Sequence, residues 1–380
     1  MRVLHLITGL ETGGAETALM RLLLGLREHG GASASPLECR VVSLIRPGHV
    51  GREMARQGID VAHLGMRRGA PSPASLWRLA GMIRSFRPGL LCTWLYHADL
   101  VGLAGAWLAT AGRLPVLWNL RCSYMDFSRY PRTTAWTVGA LARLSRFPAC
   151  MAANSAAALA HHASLGYRPR RAEVIENGID CGRFRPDPAA RERVGALFRV
   201  PAGAVLAGMA GRFDPMKDVP TLLAALARAP GVHLLLCGQG MDAENPELAE
   251  LLAREGVAGR VHLAGHRADL PELLPGLDVA VSPSLGESFP NVLAEAMACG
   301  VPPVATDAGL SRTLVGEAGR VVPTGDPEAL GAALAEMAAL PKEERLALGL
   351  AARERIAAGW SLGASVRAHA ALWADLARSS

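Results

Sequence analysis

The stretch GLDVAVSPSLGESFPNVLAEAMACGVPPVATD, residues 276–307, decides the fold. A short apolar run near 278–282 leads through a loop into a helical pattern, and a second apolar run follows near 302–305. Runs of this length bounded by Gly and Pro read as buried strands, and the helix-length insert between them makes a parallel β-α-β unit. Pro290 suits the first helical position, Ser288 can cap it and Gly300 suits the position past the last turn, so a helix over about 290–299 is expected. Glu287 then falls in the entry loop and Glu295 in the second turn. Between them stand the free N–H groups of a helix start, which attract phosphate through unpaired donors and the positive end of the macrodipole. Taken alone, each glutamate reads first as a solvated helix acid, and only its company elsewhere in the chain changes that.

Outward from this unit the same alternation fills the chain. Strands are expected near 2–8, 39–45, 60–64, 90–95, 115–119, 149–153 and 172–176, then near 204–210, 232–237, 260–263, 278–282, 302–305 and 320–323. At 380 residues the chain exceeds one core of ordinary size, so two domains are expected. The expected fold class is α/β, with two doubly wound Rossmann-like domains facing across a cleft. Residues 1–186 form the first, 187–360 the second, and 361–380 a final helix that packs back on the first. The segment FRPDPAARERVGALFRVPAG, 184–203, reads as the connection between the halves.

Composition narrows the function. Half the residues are apolar and 19% are charged, as in a globular protein rather than a disordered one. The seven cysteines are scattered singly with no CxxC pair, and read as reduced structural thiols. The chain opens directly on a strand, MRVLHLITG, so a place inside the cell is expected. The apolar run from Gly89 to Gly112 is long enough to suggest a membrane span, but His97 and Asp99 interrupt it, and a buried strand followed by an apolar helix fits better. Residues 1–186 hold 23 Arg, no Lys and 11 acids, for +12, while the remainder carries −6. The first half therefore either faces an anionic partner or carries a compositional arginine bias, since Lys217 and Lys342 are the chain's only lysines.

In open α/β sheets ligands bind beyond the carboxyl ends of the strands. After the first strand comes TGLETGGAET, with Gly13 and Gly14, whose order fits neither the dinucleotide fingerprint nor the P-loop. The second strand ends in VSLIRPG without the acid a dinucleotide ribose would need, which disfavours a nicotinamide dehydrogenase. In the second half the strand near 204–210 runs into AGRFDPMKD, placing Arg212 and Lys217 at a carboxyl strand end. A guanidinium binds phosphate bidentately and an ammonium acts as a mobile point charge, so the pair suits a diphosphate.

GRFDPMKD, then GHRADLPELLPGLDVAVSPSLGESFPNVLAEAMACGVPPVATDAG, then GRVVPTGDPEAL resembles the donor-binding half of the family 4 glycosyltransferases, retaining enzymes of GT-B fold. IENGID followed by Phe184, and the early TGGAE, resemble the end and the glycine loop of that family's first domain. The resemblance implies transfer of a sugar from a nucleoside diphosphate sugar to a glycan or lipid-linked acceptor, in bacterial cell-surface polysaccharide or glycolipid assembly. It implies that Glu295 holds the ribose hydroxyls and that Glu287 contacts the donor sugar. Ser288, Phe289, Pro290, Asn291 and Val292 would cradle sugar and diphosphate through their backbone, Arg212 and Lys217 would stabilise the leaving diphosphate, and Gly211 and Arg267 would belong to the donor set. No cofactor and no metal are expected, since Arg, Lys and a helix terminus supply the charge and no Asp-x-Asp is present.

One departure stands out. Many relatives carry a His just after the strand near 115–119, where this chain reads PVLWNLRCSYMD, with Asn119, Arg121 and Asp126. Arg121 would assist the diphosphate or an anionic acceptor and Asp126 would orient it; His97 is a further candidate, though a lone His beside an apolar helix is more often a core residue. A second reading is a non-catalytic GT-B binding subunit, and a third a GT-B sugar-nucleotide epimerase. Finally, FSRYPRTTAWTVGALARLSRF, 127–147, combines arginines, Trp136 and an apolar body, which suggests peripheral contact with an anionic membrane on the cytoplasmic side. Nucleic acid is not among the expected partners.

Overall fold

The computed structural model describes residues 1–11, 13–29, 37–67, 73–123 and 132–378. It divides into two compact units, Met1–Gly178 with Leu362–Ser380, and Ile179–Ser361. The segment 184–203 is no free connection: Phe184 and Val194 are buried in the core of the second unit.

The first unit holds a seven-stranded parallel sheet of β1 (Arg2–Ile7), β2 (Glu38–Ser43), β3 (Asp60–His63), β4 (Leu90–Trp94), β5 (Val116–Leu120), β6 (Cys150–Ala153) and β7 (Ala172–Val174). Their order is β3-β2-β1-β4-β5-β6-β7. Its helices are α1 (Gly14–His29), α2 (His49–Arg56), α3 (Pro73–Phe86), α4 (Tyr96–Thr110), α5 (Arg132–Leu144), α6 (Ala156–Ser164) and the terminal α15 (Leu362–Arg378). A parallel sheet is covered on both faces, so its strands read as unbroken apolar runs, as in VLHLI and LLCTW. One face packs against α1, α2 and α15, through Leu19, Leu22, Met54, Val366 and Trp373. The other packs against α3, α4 and α5, through Leu79, Ile83, Ala98, Ala106, Val138 and Leu141. The run 89–112 is thus a strand and a helix, and no helix among the described residues is long and apolar enough to cross a membrane.

The second unit holds a six-stranded parallel sheet of β8 (Val205–Ala210), β9 (Val232–Cys237), β10 (Val261–Gly265), β11 (Val279–Ser282), β12 (Pro303–Thr306) and β13 (Arg320–Val322). Its order is β10-β9-β8-β11-β12-β13. The helices are α7 (Ala190–Phe198), α8 (Val219–Ala227), α9 (Pro246–Arg254), α10 (Leu270–Leu273), α11 (Asn291–Ala298), α12 (Ser311–Val315), α13 (Pro327–Ala339) and α14 (Lys342–Gly359). Local chemistry sets several of their starts. Asn245 and Asp326 accept hydrogen bonds from the first-turn amides of α9 and α13, each with Pro at a first-turn position where no N–H is needed. Each expected strand is present to within a residue or two at its ends.

Candidate functional site

In the second unit the strand order reverses between β8 and β11, so the loops after these two strands flank the switch point where open sheets take ligands. The loop after β8 carries Gly211, Arg212 and Lys217. Gly211 donates its N–H to Cys237 O at 2.8 Å, and a Cβ on Gly238, at φ +142°, would lie 1.8 Å from Gly211 O, so only glycine permits this approach. Asp214 accepts from the Met216 amide at 2.9 Å and shapes the turn that presents Lys217. Leu285 N–H donates to Met216 O at 2.9 Å, joining this loop to the one after β11. Lys217 and Glu287 therefore meet: Nζ donates to Glu287 Oε1, which also accepts from Ser284 Oγ at 2.9 Å. Arg212 is largely exposed, its nearest carboxylate, on Asp214, 3.9 Å away, so its guanidinium is only loosely held.

The helix beyond differs at its start from the expected one. It begins at Asn291, with Pro290 as an N-cap that no side chain assists, so Ser288 does not cap it. The reason is a tight turn centred on Pro290 (φ −77°, ψ 79°), in which Asn291 N–H folds back onto Phe289 O at 2.9 Å. Ala294 N–H donates to Pro290 O, which leaves the amides of Val292 and Leu293 as open first-turn donors among the described residues. The Phe289 side chain is 3% exposed and belongs to the core, so only its backbone faces the loop. Ser288 and Pro290 are also buried. Glu295, in the second turn as expected, is 2% exposed, and so offers a ligand little more than an oxygen edge. Arg267 is committed within the chain: its Nε and Nη2 donate to Asp269 at 2.8 and 2.5 Å, which raises the guanidinium pKa and holds the Asp269 carboxyl below its usual range.

Supporting residues emerge that sequence reading passes over. Thr306, at the end of β12, donates Oγ1–H to Ser284 O at 2.6 Å and so steadies the residue that steadies Glu287. Gly309, at φ +56°, lets its turn approach so closely that a Cβ would lie 1.8 Å from Glu287 O. The only sequence signal for either is the loop TDAG after a strand, which does not say what it touches.

In the first unit the reversal falls between β1 and β4. Gly13 and Gly14 stand at the start of α1, with Gly13 O accepting from Thr17 N–H at 3.1 Å. Between β4 and α4, Leu95 takes φ 74° and ψ 149°, a conformation that costs a branched residue of order 1–3 kcal/mol. That strained turn sets the first turn of α4, where Ala98 N–H donates to Thr8 Oγ1 at 3.3 Å. His97 lies there, half-buried, with its pKa lowered by burial. Asn119 is not in the loop after the strand but inside β5, fully buried, donating Nδ2–H to Thr93 O at 3.0 Å. The apolar VLW run continues through it, so its amide bridges two strands rather than meeting solvent.

Arg121 follows β5. Its guanidinium stacks over the Trp94 ring at 4.4 Å and donates Nη1–H to Asn177 Oδ1 at 2.6 Å, while Nε is buried without a partner. No carboxylate among the described residues pairs with it, and burial lowers its pKa to about 9. Around it His5 Nε2, Asn119 Oδ1, His369 Nε2 and Trp373 Nε1 are also buried without hydrogen-bond partners. Asp126, and Phe127 to Pro131 of the basic segment, lie outside the described residues.

Two doubly wound parallel sheets, each with ligand-type loops at its strand reversal, define a GT-B glycosyltransferase architecture. The chain belongs to the family 4 glycosyltransferases: a "Glycosyltransferase Family 4" model matches residues 12–183, and a "Glycosyl transferases group 1" model matches 204–339. Over 345 residues it is 29% identical to a lipopolysaccharide core biosynthesis glycosyltransferase of Rhizobium meliloti, covering 89% of each chain. It is 33% identical to a D-inositol 3-phosphate glycosyltransferase of Salinispora tropica, over 52% of this chain and 45% of that one. The Anabaena protein HepE, solved in complex with UDP, superposes with a TM-score of 0.83 at 23% identity, over 99% of this chain and all of the other, and so shares its fold.

Proposed function

We propose that the chain is a retaining hexosyltransferase that moves a sugar from a nucleoside diphosphate sugar to a glycan or lipid-linked acceptor in cell-surface glycan assembly, acting on the cytoplasmic side. The observation that carries the reading is the joining, at the switch point of the second unit, of the Lys217 and Glu287 loops beside the open start of α11. The Lys217 ammonium seated on Glu287, a loosely held guanidinium on Arg212 and two open amides belong to these adjoining loops and helix start, the set a diphosphate needs. The lipopolysaccharide-core relative supports the acceptor class, and structural neighbours solved with UDP and with UDP-glucose support the donor class.

In this reading Glu287 accepts a hydroxyl of the donor sugar and Glu295 the ribose hydroxyls. As the glycosidic C–O bond to the diphosphate breaks, negative charge grows on its oxygens, and Lys217, Arg212 and the Val292 and Leu293 amides stabilise it more in the transition state than before. The acceptor oxygen bonds to the anomeric carbon on the same face and its proton passes to the leaving phosphate. This step asks for no protein nucleophile, and no group of three or more His, Cys, Asp or Glu among the described residues is arranged to hold a metal. A non-catalytic binding subunit would have no use for a lysine paired across two switch-point loops.

A panel of nucleoside diphosphate sugars, each with and without EDTA, scored by thermal unfolding, tests the donor reading. At least one is expected to raise Tm by linkage, unchanged by EDTA. No shift from any of them, or a shift only with added Mn²⁺ or Mg²⁺, would contradict it.

Arg121 is assigned to an anionic group of the acceptor or donor phosphate, since a part-buried guanidinium whose Nε is shut away from water, with no carboxylate partner among the described residues, is costly until an anion arrives. Arg121→Gln is expected to hold or raise Tm while lowering turnover at least ~10-fold, the opposite movements that mark a binding group. A fall in Tm with turnover preserved would make Arg121 a packing residue.

A further inference from the structure

Three tryptophans stand out on the surface of the first unit: Trp77 is 60% exposed, Trp107 68% and Trp136 79%. They lie on α3, α4 and α5. These helices cover the same face of the sheet through one shared core, and α4 packs against both of its neighbours. The outward sides of all three therefore form one continuous layer. On α3 that side shows Trp77, Arg78 and Arg84, and on α5 Trp136 and Arg143, followed by Arg146 and Phe147, which is 63% exposed. On α4 it shows Ala104 and Trp107. Val138 and Leu141 of α5 are buried on its inward side.

The charge on this layer has one sign. From Pro73 to Ala172 the sequence contains only two acids, Asp99 and Asp126. Asp99 is 1% exposed, hydrogen-bonded to Thr93, and burial raises its pKa to about 8, so it adds no negative charge to the surface at neutral pH. Asp126 lies outside the described residues. Indole rings prefer the boundary between water and hydrocarbon, where an apolar body and a polar N–H are both satisfied, and arginines beside them face anionic headgroups. A second copy of this chain suits the layer poorly, because an isologous contact would set arginine against arginine with no acid to pair.

We propose that the α3–α4–α5 layer, through Trp77, Trp107, Trp136 and its arginines, is a docking surface for an anionic lipid bilayer. The purpose of docking rests on the lipid-linked acceptor reading above, but the surface itself rests on exposure and charge. Sedimentation of the full chain with vesicles of phosphatidylglycerol, and with vesicles of phosphatidylcholine, at low and high salt tests it. The protein is expected to sediment with the phosphatidylglycerol vesicles and to be released as salt rises. The triple variant Trp77→Ser, Trp107→Ser, Trp136→Ser is expected to lose at least ~10-fold in binding, and Arg143→Gln about fivefold. Both should keep the parent's unfolding temperature and its nucleotide-sugar shift, since these side chains are exposed. Undiminished binding by the triple variant would overturn the surface, as would no binding of the parent to either vesicle. A parent that is dimeric in solution and becomes monomeric in the triple variant would overturn it in favour of self-association. If vesicle binding behaves as expected and no nucleotide sugar shifts Tm, the surface stands and the donor reading fails.

Discussion

Replacing Lys217 by Ala is expected to lower turnover by ~10²–10³ while the fold stays intact. Lys217 is the one ammonium at the switch point of the second unit, and its Nζ already sits against a carboxylate, so the loop geometry that delivers charge exists before any donor binds. Its side chain is 31% exposed, so truncation removes little packing. The local cost is the loss of a cation beside Glu287, whose side chain is 13% exposed, and Ser284 Oγ–H still donates to it. The large effect is kinetic because charge builds on the departing diphosphate during the reaction, when an ammonium does most. Steady-state rates with the preferred donor, together with Tm of the variant, read both parts. Near-normal turnover in a folded Lys217→Ala protein would remove the diphosphate role, and Lys217→Arg should recover only part of the rate, since a planar fork replaces a point charge.

The second large effect is expected at Glu295. Glu295→Gln keeps the size of a side chain that is only 2% exposed, so packing in α11 should survive where Ala would leave a cavity. A carboxylate accepts hydrogen bonds from two hydroxyls, whereas a carboxamide offers one oxygen and two donors that meet the ribose badly. Hydrogen bonds to a charged group are worth about 1.5–3 kcal/mol, so affinity for the nucleoside diphosphate should fall ~10–100-fold. The diagnostic is selectivity: the parent should prefer the ribonucleotide to its 2′-deoxy analogue, and the variant should have lost that preference. Calorimetry with the two nucleotides measures it. If the variant discriminates as the parent does, Glu295 is a buried structural acid and the ribose contact lies elsewhere.

How much of this was legible in the sequence follows from what each feature depends on. The strands were readable because a parallel sheet buried on both faces leaves unbroken apolar runs, and Val205–Ala210 or Val232–Cys237 can hardly be read otherwise. Arg212, Lys217 and Glu287 are readable as candidates because strand-end position is a local property, and Glu295 because it follows a helix start that the sequence signals. The start of α11 was misread by one residue because Pro290 fits equally a first helical position and the centre of a tight turn, and the choice was made by the Asn291 amide folding onto Phe289 O. Asn119 reads as a residue at the mouth of the loop after its strand, yet it lies inside β5, where Nδ2–H is bonded across the sheet to Thr93 O and Oδ1 is left without a partner. Thr306 and Gly309 escape a sequence reading because their significance is contact with the Ser284–Glu287 loop across chain separations that no local pattern records. Arg267, expected in the donor set, has two of its nitrogens held by Asp269 two residues on, a pairing that the sequence alone does not reveal.

Catalysis of sugar transfer with retention is tested most directly by proton nuclear magnetic resonance of the full chain turning over a nucleoside diphosphate sugar with water as acceptor, followed faster than the released sugar can mutarotate. The sugar should appear first with the donor's own anomeric configuration, at a rate that falls at least ~10²-fold in Lys217→Ala. First appearance of the opposite anomer would contradict retention, and release of no nucleoside diphosphate from any donor in the panel would contradict the transferase itself.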